Sequence, residues 1–139
     1  MALRYLLDTN VLSEVMRPVP DPAVMDRMAA AGDSVATCAP VWHEIQFGRA
    51  RLPAGKRRRA IDTILEAMSA VLVILPYDAA AAAWHARERA RLVRLGKAPP
   101  FVDGQIAAIA AANDLVLVTR NLRDVAGFAG LDIESWFSD

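Results

Sequence analysis

Short, mostly apolar runs recur along the chain, and a segment with the composition of a helix separates each run from the next. The runs are Leu3–Leu7, Ser34–Thr37, Val71–Leu75 and Leu115–Thr119, and Leu131–Ile133 is a candidate fifth. Runs of this length without regular polar alternation are typical of strands buried on both faces, as in parallel sheets. The pattern predicts an α/β fold, a three-layer domain with a central parallel sheet of four to five strands flanked by helices.

The length of the chain, 139 residues, predicts one domain spanning residues 1–139. Hydrophobic residues make up 55% of the chain and charged residues 23%, which favours a folded core over disorder. No apolar run approaches the roughly 18 residues of a membrane span, and a secretory signal is not recognisable. The single cysteine, Cys38, cannot form an internal disulfide. We therefore expect a cytoplasmic protein with no membrane association.

The charges balance overall, with 16 basic and 16 acidic residues, but they are unevenly distributed. The segment from Arg49 to Arg59 carries six basic residues and no acid, and the segment from Arg87 to Lys97 carries one acid, Glu88. A solvated helix face is the ordinary explanation for one such run. Two basic runs in a neutral chain leave acids in excess elsewhere.

Two acids occupy positions from which they could reach a common site. Asp8 directly follows the first predicted strand, and ligands of open parallel sheets bind beyond the carboxyl ends of strands. Its alternative role is to cap the following helix. Glu44 lies on the helix that Pro40 opens and borders an inward-facing stripe. Its alternative is a salt bridge to Arg49 or Arg51, although neither has the i+3 or i+4 spacing that places two side chains on one helix face.

Further polar side chains lie in the last third of the chain. Asp103 opens a helix rich in alanine and glycine that can pack closely against the sheet, although the helix dipole also explains an acid in a first turn. Thr119 ends the fourth predicted strand, and Asn121 and Asp124 follow it. The alternative for this segment is a cap, in which Asn121 starts a short helix with Asp124 in its first turn.

Carboxylates that converge at one site repel one another, so such a site either takes up protons or binds a hard cation. Oxygen ligands without His or Cys favour Mg²⁺ or Mn²⁺ over zinc. Metals held in this way activate water and bind the oxygens of a phosphodiester. The acids therefore predict a metal-dependent nuclease.

Four segments, in this order, carry a resemblance to a known family. They are Leu6–Glu14 (LLDTNVLSE), Glu44, Val102–Ala108 (VDGQIAA) and Thr119–Asp124 (TRNLRD). Their order and spacing resemble the PIN-domain ribonucleases, and specifically the VapC toxins of bacterial toxin–antitoxin pairs, including the FitB-like branch. The match spans nearly the whole chain, and its most specific element is the Leu-Asp-Thr-Asn-Val-Leu run.

The resemblance implies a metal-dependent endoribonuclease whose cofactor is Mg²⁺ or Mn²⁺. Asp8, Glu44 and Asp103 correspond to the acidic metal site, with Asp8 and Asp103 as the first candidates for direct ligands, and Thr119 helps to orient it. The family's fourth acidic position aligns with Asn121, and this amide weakens the attraction for a second cation. Asp124, about one helical turn later, is a candidate to compensate for it.

The resemblance also implies the partners of the protein. It implies a homodimer that is inhibited by a small antitoxin, in some cases within a larger complex, and that reaches DNA only through the antitoxin. The antitoxin would place a basic side chain in the acidic pocket. RNA is the substrate, and a polyanion needs a basic rim. We therefore expect RNA phosphates to contact the basic residues that follow the Glu44 helix: Lys56, Arg57, Arg58 and Arg59.

Two other functions remain open at this stage. A phosphatase with an aspartyl nucleophile would place an Asp-x-Asp turn after the first strand, but the turn here is Asp8-Thr9-Asn10. A non-catalytic module would use the acidic pocket only to bind a basic partner peptide, a reading that the amide of Asn121 favours. His43 and His85 are interpreted as structural residues, and the three tryptophans as parts of the core or an interface.

Overall fold

A computed structural model describes residues 2–139, which form an α/β fold around a five-stranded sheet. The strands are β1 (Tyr5–Leu7), β2 (Val35–Cys38), β3 (Val73–Leu75), β4 (Val116–Val118) and β5 (Ile133–Glu134). Their order is β3-β2-β1-β4-β5, and every pairing is parallel. The predicted α/β class with a parallel sheet of four to five strands flanked by helices is confirmed, and the candidate fifth strand is present.

Helices connect the strands, as the alternating pattern predicted. They are α1 (Thr9–Val15), α2 (Pro22–Ala31), α3 (Ala39–Ala50), α4 (Lys56–Val71), α5 (Ala79–Arg94), α6 (Phe101–Ala112) and α7 (Leu122–Val125). Helix α2 shows why these boundaries are readable: the Asp21 carboxylate accepts from the Ala23 amide at 2.9 Å, and Pro22 takes the first helical position. Within residues 2–139, no helix is both long enough and apolar enough to cross a membrane.

Each of the five predicted strands begins one or two residues before the observed strand, and the third shows the reason most clearly. Val71 and Leu72 open a β-branched run that predicts a strand, but Val71 is the last residue of α4. The Leu72 amide still donates to the Met68 carbonyl at 2.8 Å. The hydrogen bonding of a long helix therefore overrides local β-propensity here.

The core lies on both sides of β1 and β4. The side chains of Leu6, Leu7, Leu117 and Val118 are fully buried, and so are the three alanines Ala107, Ala108 and Ala110 of α6. A helix with small apolar residues around most of its circumference can lie inside a small domain. Trp136 is also buried, with its ring 5.1 Å from that of Tyr5, which confirms its assignment to the core.

The topology determines where a site can form. The chain runs from β1 outward through β2 to β3, and then returns to the other side of β1 with β4 and β5. The order of the strands therefore reverses between β1 and β4, and ligands of open α/β sheets bind beyond the carboxyl ends of the strands at such a point. Asp8 and Thr119 directly follow these two strands.

Candidate active site

An open cavity of ≈ 760 Å³ lies at this reversal point. Four side chains that the sequence predicted for the catalytic site line it together: Asp8, Glu44, Asp103 and Asn121. Glu14 and Arg17 from α1 and Arg57 from α4 complete its charged lining. Carboxylates from the end of β1, from α3 and from α6 therefore face one space, as the sequence predicted.

Asp8 combines the two roles that the sequence left open. Its Oδ1 accepts a hydrogen bond from the Thr9 amide at 2.7 Å, so the carboxylate caps α1. Its Oδ2 accepts a hydrogen bond from the Thr119 hydroxyl at 2.8 Å. The Asp8 amide donates to the Val118 carbonyl at 3.0 Å, which joins the end of β1 to that of β4. The cap thus fixes the orientation of a carboxylate that lines the cavity.

Thr119 is fully buried and does not line the cavity. The Thr119 hydroxyl donates to Asp8, and its oxygen accepts hydrogen bonds from Asn10 Nδ2 at 3.3 Å and from the backbone N–H of Asn121 at 3.2 Å. The Asn10 side chain in turn accepts from the Arg120 amide at 3.0 Å. This network links α1 to the segment after β4 and holds the Asp8 carboxylate in one orientation.

Glu44 has no arginine or lysine partner within residues 2–139. The expected alternative partners bind elsewhere: Arg49 pairs with Asp62 on α4 at 2.5 and 3.1 Å, and Arg51 lies over the ring of Phe47. The His43 ring nitrogen Nδ1 lies 3.6 Å from Glu44 Oε1. The Glu44 carboxylate, with 46% of its side chain exposed, remains available at the cavity.

Asp103 lies in the first turn of α6, half-buried, and its side chain forms no hydrogen bond or ion pair with the rest of residues 2–139. Burial raises its pKa, and the negative charges of Asp8 and Asp124 raise it further. The favourable helix dipole therefore does not offset the loss of hydration and the repulsion. An unpaired carboxylate under repulsion is stabilised by a proton or by a cation.

Asn121 and Asp124 separate in the structure. Asn121 lines the cavity and is the N-cap of α7, but its side chain makes no capping hydrogen bond. Asp124 is exposed and lines a different cavity together with Lys97 and Arg123. The structure therefore places Asn121, and not Asp124, at the acidic cavity. The negative charge of Asp124 nevertheless raises the pKa of Asp103.

Glu14 is a buried carboxylate of the cavity wall that the sequence analysis did not predict. Only 4% of it is exposed, and it accepts from Arg17 Nη1 at 3.1 and 3.2 Å and from the Asp21 amide at 2.8 Å. A signal was available, because Glu14 follows the buried Val11 by three residues and Arg17 follows Glu14 by three. Because Glu14 is neutralised by Arg17, it contributes little net charge to the cavity.

The basic run opens α4, where positive charge opposes the helix dipole. Among the four residues predicted to contact RNA, only Arg57 lines the acidic cavity. Arg58 donates to the Leu52 carbonyl at 3.4 Å, and Lys56 and Arg59 are exposed. The basic side chains at the start of α4 therefore destabilise this helix. Of the four, Arg57 lies where it can contact an anion in the cavity.

The donor set suits a hard divalent cation, although no three Asp, Glu, His or Cys side chains of residues 2–139 are gathered closely enough to enclose one. Asp8, Glu44 and Asp103 offer oxygen only, and none of them is paired with an arginine or lysine of residues 2–139. Mg²⁺ commonly binds through one or two carboxylates and retains several waters, which matches an open cavity of this kind. Cys38 cannot contribute a thiolate, because burial raises its pKa to about 12.

The two histidines differ. His85 is buried, its Nδ1 lies 2.8 Å from the Tyr77 hydroxyl, and burial lowers its pKa, so its structural role is confirmed. His43 has 73% of its side chain exposed and its ring stacks on that of Phe47 with the centroids 6.2 Å apart, so it lies outside the core, and its structural role stays a prediction. The helical position explains the difference, because His43 points away from the inward stripe of Val41 and Ile45.

Comparison with known proteins identifies the family. The PIN domain matches residues 5–129. The VapC ribonuclease Y4jK of Sinorhizobium fredii is 36% identical over 92% of this chain and 94% of its own length, and the toxin FitB of Neisseria gonorrhoeae is 34% identical over 92% and 93%. The crystal structure of DNA-bound VapBC from Salmonella typhimurium superposes with a TM-score of 0.85 at 27% identity, covering 96% of this chain and 98% of that one. The chain belongs to the PIN domain family.

Proposed function

We propose that this chain, as a single domain of residues 1–139, is a Mg²⁺- or Mn²⁺-dependent endoribonuclease and the toxin of a toxin–antitoxin pair. The observation that carries the proposal is that three carboxylates without arginine or lysine partners, those of Asp8, Glu44 and Asp103, line one open cavity. Membership of the PIN domain family and the ribonuclease and toxin relatives support it.

In this proposal Asp8 and Asp103 bind the metal directly, and Glu44 completes the acidic site. A bound Mg²⁺ or Mn²⁺ supplies an activated water and neutralises charge on the phosphodiester. Thr119 holds the Asp8 carboxylate through the 2.8 Å hydrogen bond. Arg57 binds a phosphate of the RNA at the cavity wall, and the amide of Asn121 adds a polar group without adding charge.

The proposed partners follow from the family. In this proposal the chain is inhibited by an antitoxin, forms a homodimer, and contacts DNA only through the antitoxin. The similar VapBC complex of Salmonella typhimurium is a DNA-bound one, which supports a DNA-binding assembly. A basic antitoxin side chain that entered the cavity would compete with the metal for the same carboxylates.

Cleavage of a panel of structured RNAs by the antitoxin-free protein tests this function. We expect cutting with Mg²⁺ or Mn²⁺, none with EDTA, and recovery when metal is added back. A folded protein that binds a basic peptide in the acidic cavity but cuts no RNA under any of these conditions would instead support the non-catalytic binding module.

Replacement of Thr119 by valine should lower kcat for RNA cleavage about 10- to 100-fold, the usual effect of losing a group that orients a metal ligand. The shape of the side chain is kept, while the hydrogen bond to Asp8 Oδ2 is lost. Thr37→Val is the matched control, because Thr37 is equally buried and its hydroxyl donates to the Leu7 carbonyl at 2.9 Å rather than to a carboxylate. Equal activities of the two variants would exclude a positioning role for Thr119.

Replacement of Arg57 by alanine should weaken RNA binding. It should also reduce the magnitude of the slope of log affinity against log salt concentration by about 1, the change expected when one phosphate contact is lost. The reason is that Arg57 reaches the acidic cavity and forms no salt bridge within residues 2–139. Arg94→Ala, at the exposed end of α5, is the control and should change the slope less. An unchanged slope in the Arg57 variant, measured by filter binding with EDTA present, would contradict the contact.

A further inference from the structure

A second, smaller cavity of ≈ 200 Å³ adjoins the acidic one. The two cavities share four lining residues: Thr9, Ser13, Glu44 and Arg57. The smaller cavity differs in its floor, which consists of core side chains: Met16, Ile45, Leu52 and Ile61. An apolar recess therefore opens beside Glu44 and Arg57, between α1, α3 and α4.

We propose that this recess binds one unpaired base of the RNA, that of a nucleotide next to the cleaved phosphodiester. The inference rests on the proposed ribonuclease function and adds a base-binding subsite to it. Proteins read single-stranded RNA by holding splayed-out bases against apolar, aromatic or guanidinium surfaces. Here the flat face of the base would lie against the aliphatic floor, with the guanidinium of Arg57 at the mouth.

The size and the position of the recess favour a base. A volume of ≈ 200 Å³ is below the range for drug-sized ligands, which suits a single ring system. The recess opens on Glu44, which also lines the acidic cavity, so its occupant lies beside the reacting group. Arg57 complements the negative charge of the phosphate that joins the two positions.

Gly48 leaves the recess open. It lies one helical turn after Glu44 on α3 and lines the recess, and a Cβ built on it meets no atom within 4 Å. The next residue on α3, Arg49, also lines the recess and forms an ion pair with Asp62 on α4. Because the space around the Cβ position is free, we expect a leucine at position 48 to occupy part of the recess.

The test is RNA cleavage by Gly48→Leu, with Gln46→Leu as the control on the same helix, since Gln46 is exposed and lines neither cavity. Both variants are expected to keep the melting temperature of the wild type or exceed it, because leucine favours helix more than glycine does and about as much as glutamine does. The substrates are one cleaved oligonucleotide and copies of it with a single abasic residue at each position flanking the cut.

We expect one abasic position to lower the kcat/KM of the wild type about 5- to 150-fold, the range that corresponds to losing one stacked base. The kcat/KM of Gly48→Leu on the intact RNA should be lower than that of the wild type by a similar factor, and the abasic residue at that position should not lower it further. Gln46→Leu should behave as the wild type on both substrates. Wild-type cleavage of every abasic substrate at the intact rate would overturn the base site. A second result would also overturn the base site: Gly48→Leu cuts intact RNA at the wild-type rate but is no longer inhibited by the antitoxin. The recess would then bind an antitoxin side chain. A wild type that cuts no RNA contradicts the ribonuclease function itself.

Discussion

Replacement of Asp103 by asparagine should reduce RNA cleavage about 10³-fold or more, while stabilising the metal-free fold. Metal ions contribute several kcal/mol of transition-state stabilisation, and each 1.36 kcal/mol corresponds to about a factor of ten in rate. Asparagine keeps the shape of the side chain but lacks the charge that holds the cation. The loss should appear in kcat/KM at saturating Mg²⁺, and Asp26→Asn, at an exposed position on α2, serves as the control.

The expected gain in stability follows from the pKa of Asp103. Burial and the charges of Asp8 and Asp124 raise this pKa above its ordinary value of 3.8. The folded state therefore favours the protonated carboxyl group. Its contribution to folding stability is complete at pH values below the ordinary pKa and is lost as the pH rises through the raised pKa of the folded state. At neutral pH the charged side chain therefore destabilises the metal-free fold, so Asp103→Asn should melt at a higher temperature than the wild type.

Thermal melts in EDTA and in Mn²⁺ separate this effect from general stabilisation. Mn²⁺ should raise the melting temperature of the wild type, because it binds the folded state, and should do so much less in Asp103→Asn. A variant that retains cleavage, or that melts below the wild type in EDTA, would contradict the assignment of Asp103 as an unpaired carboxylate of the metal site.

Replacement of Gly104 by alanine should destabilise the fold by about 2 to 3 kcal/mol, although alanine ordinarily stabilises a helix interior by about 1 kcal/mol relative to glycine. A Cβ at position 104 would lie 2.2 Å from Nε2 of His85 on α5. The ring of His85 cannot easily move, since its Nδ1 lies 2.8 Å from the Tyr77 hydroxyl and its centroid lies 4.8 Å from that of Phe101. Urea unfolding measures the change.

The double variant Gly104→Ala/His85→Ala should be less destabilised than the sum of the single variants, because the clash requires both side chains. Gly127→Ala is the control, since its Cβ would meet Leu92 at 3.7 Å, an ordinary contact. Strict additivity of the two changes would show that the contact between α5 and α6 does not depend on this glycine. The contact bears on function as well, because Asp103 directly precedes Gly104 on α6.

The strands and the strand-end residues could be predicted because local sequence determines them. Apolar runs closed by Asp8 and by Thr119 mark β1 and β4, and parallel pairing places their carboxyl ends at one edge. Glu44 could be placed by the helical spacing of Val41 and Ile45, which are both buried. Each of these inferences required only the period of one element and the rule for parallel sheets.

The remaining features depend on how separate elements approach one another. Asn121 and Asp124 lie within one turn, and only the placement of α7 determines which of them lines the acidic cavity. The proximity of Gly104 to His85 and the selection of Arg57 from the basic run likewise arise from pairs of helices. Sequence periodicity predicts which face of a helix is buried, but it does not predict the residue on a neighbouring helix that this face contacts.

The most direct test of the account is the anomalous scattering of Mn²⁺ in crystals of the antitoxin-free protein soaked with the ion and a short RNA. We predict a peak in the acidic cavity, close enough to carboxylate oxygens of Asp8 and Asp103 for direct coordination, with water at the remaining positions. A fully occupied peak at Asp124 or elsewhere, with the cavity empty of metal, would contradict the claim that these carboxylates form a metal-dependent active site.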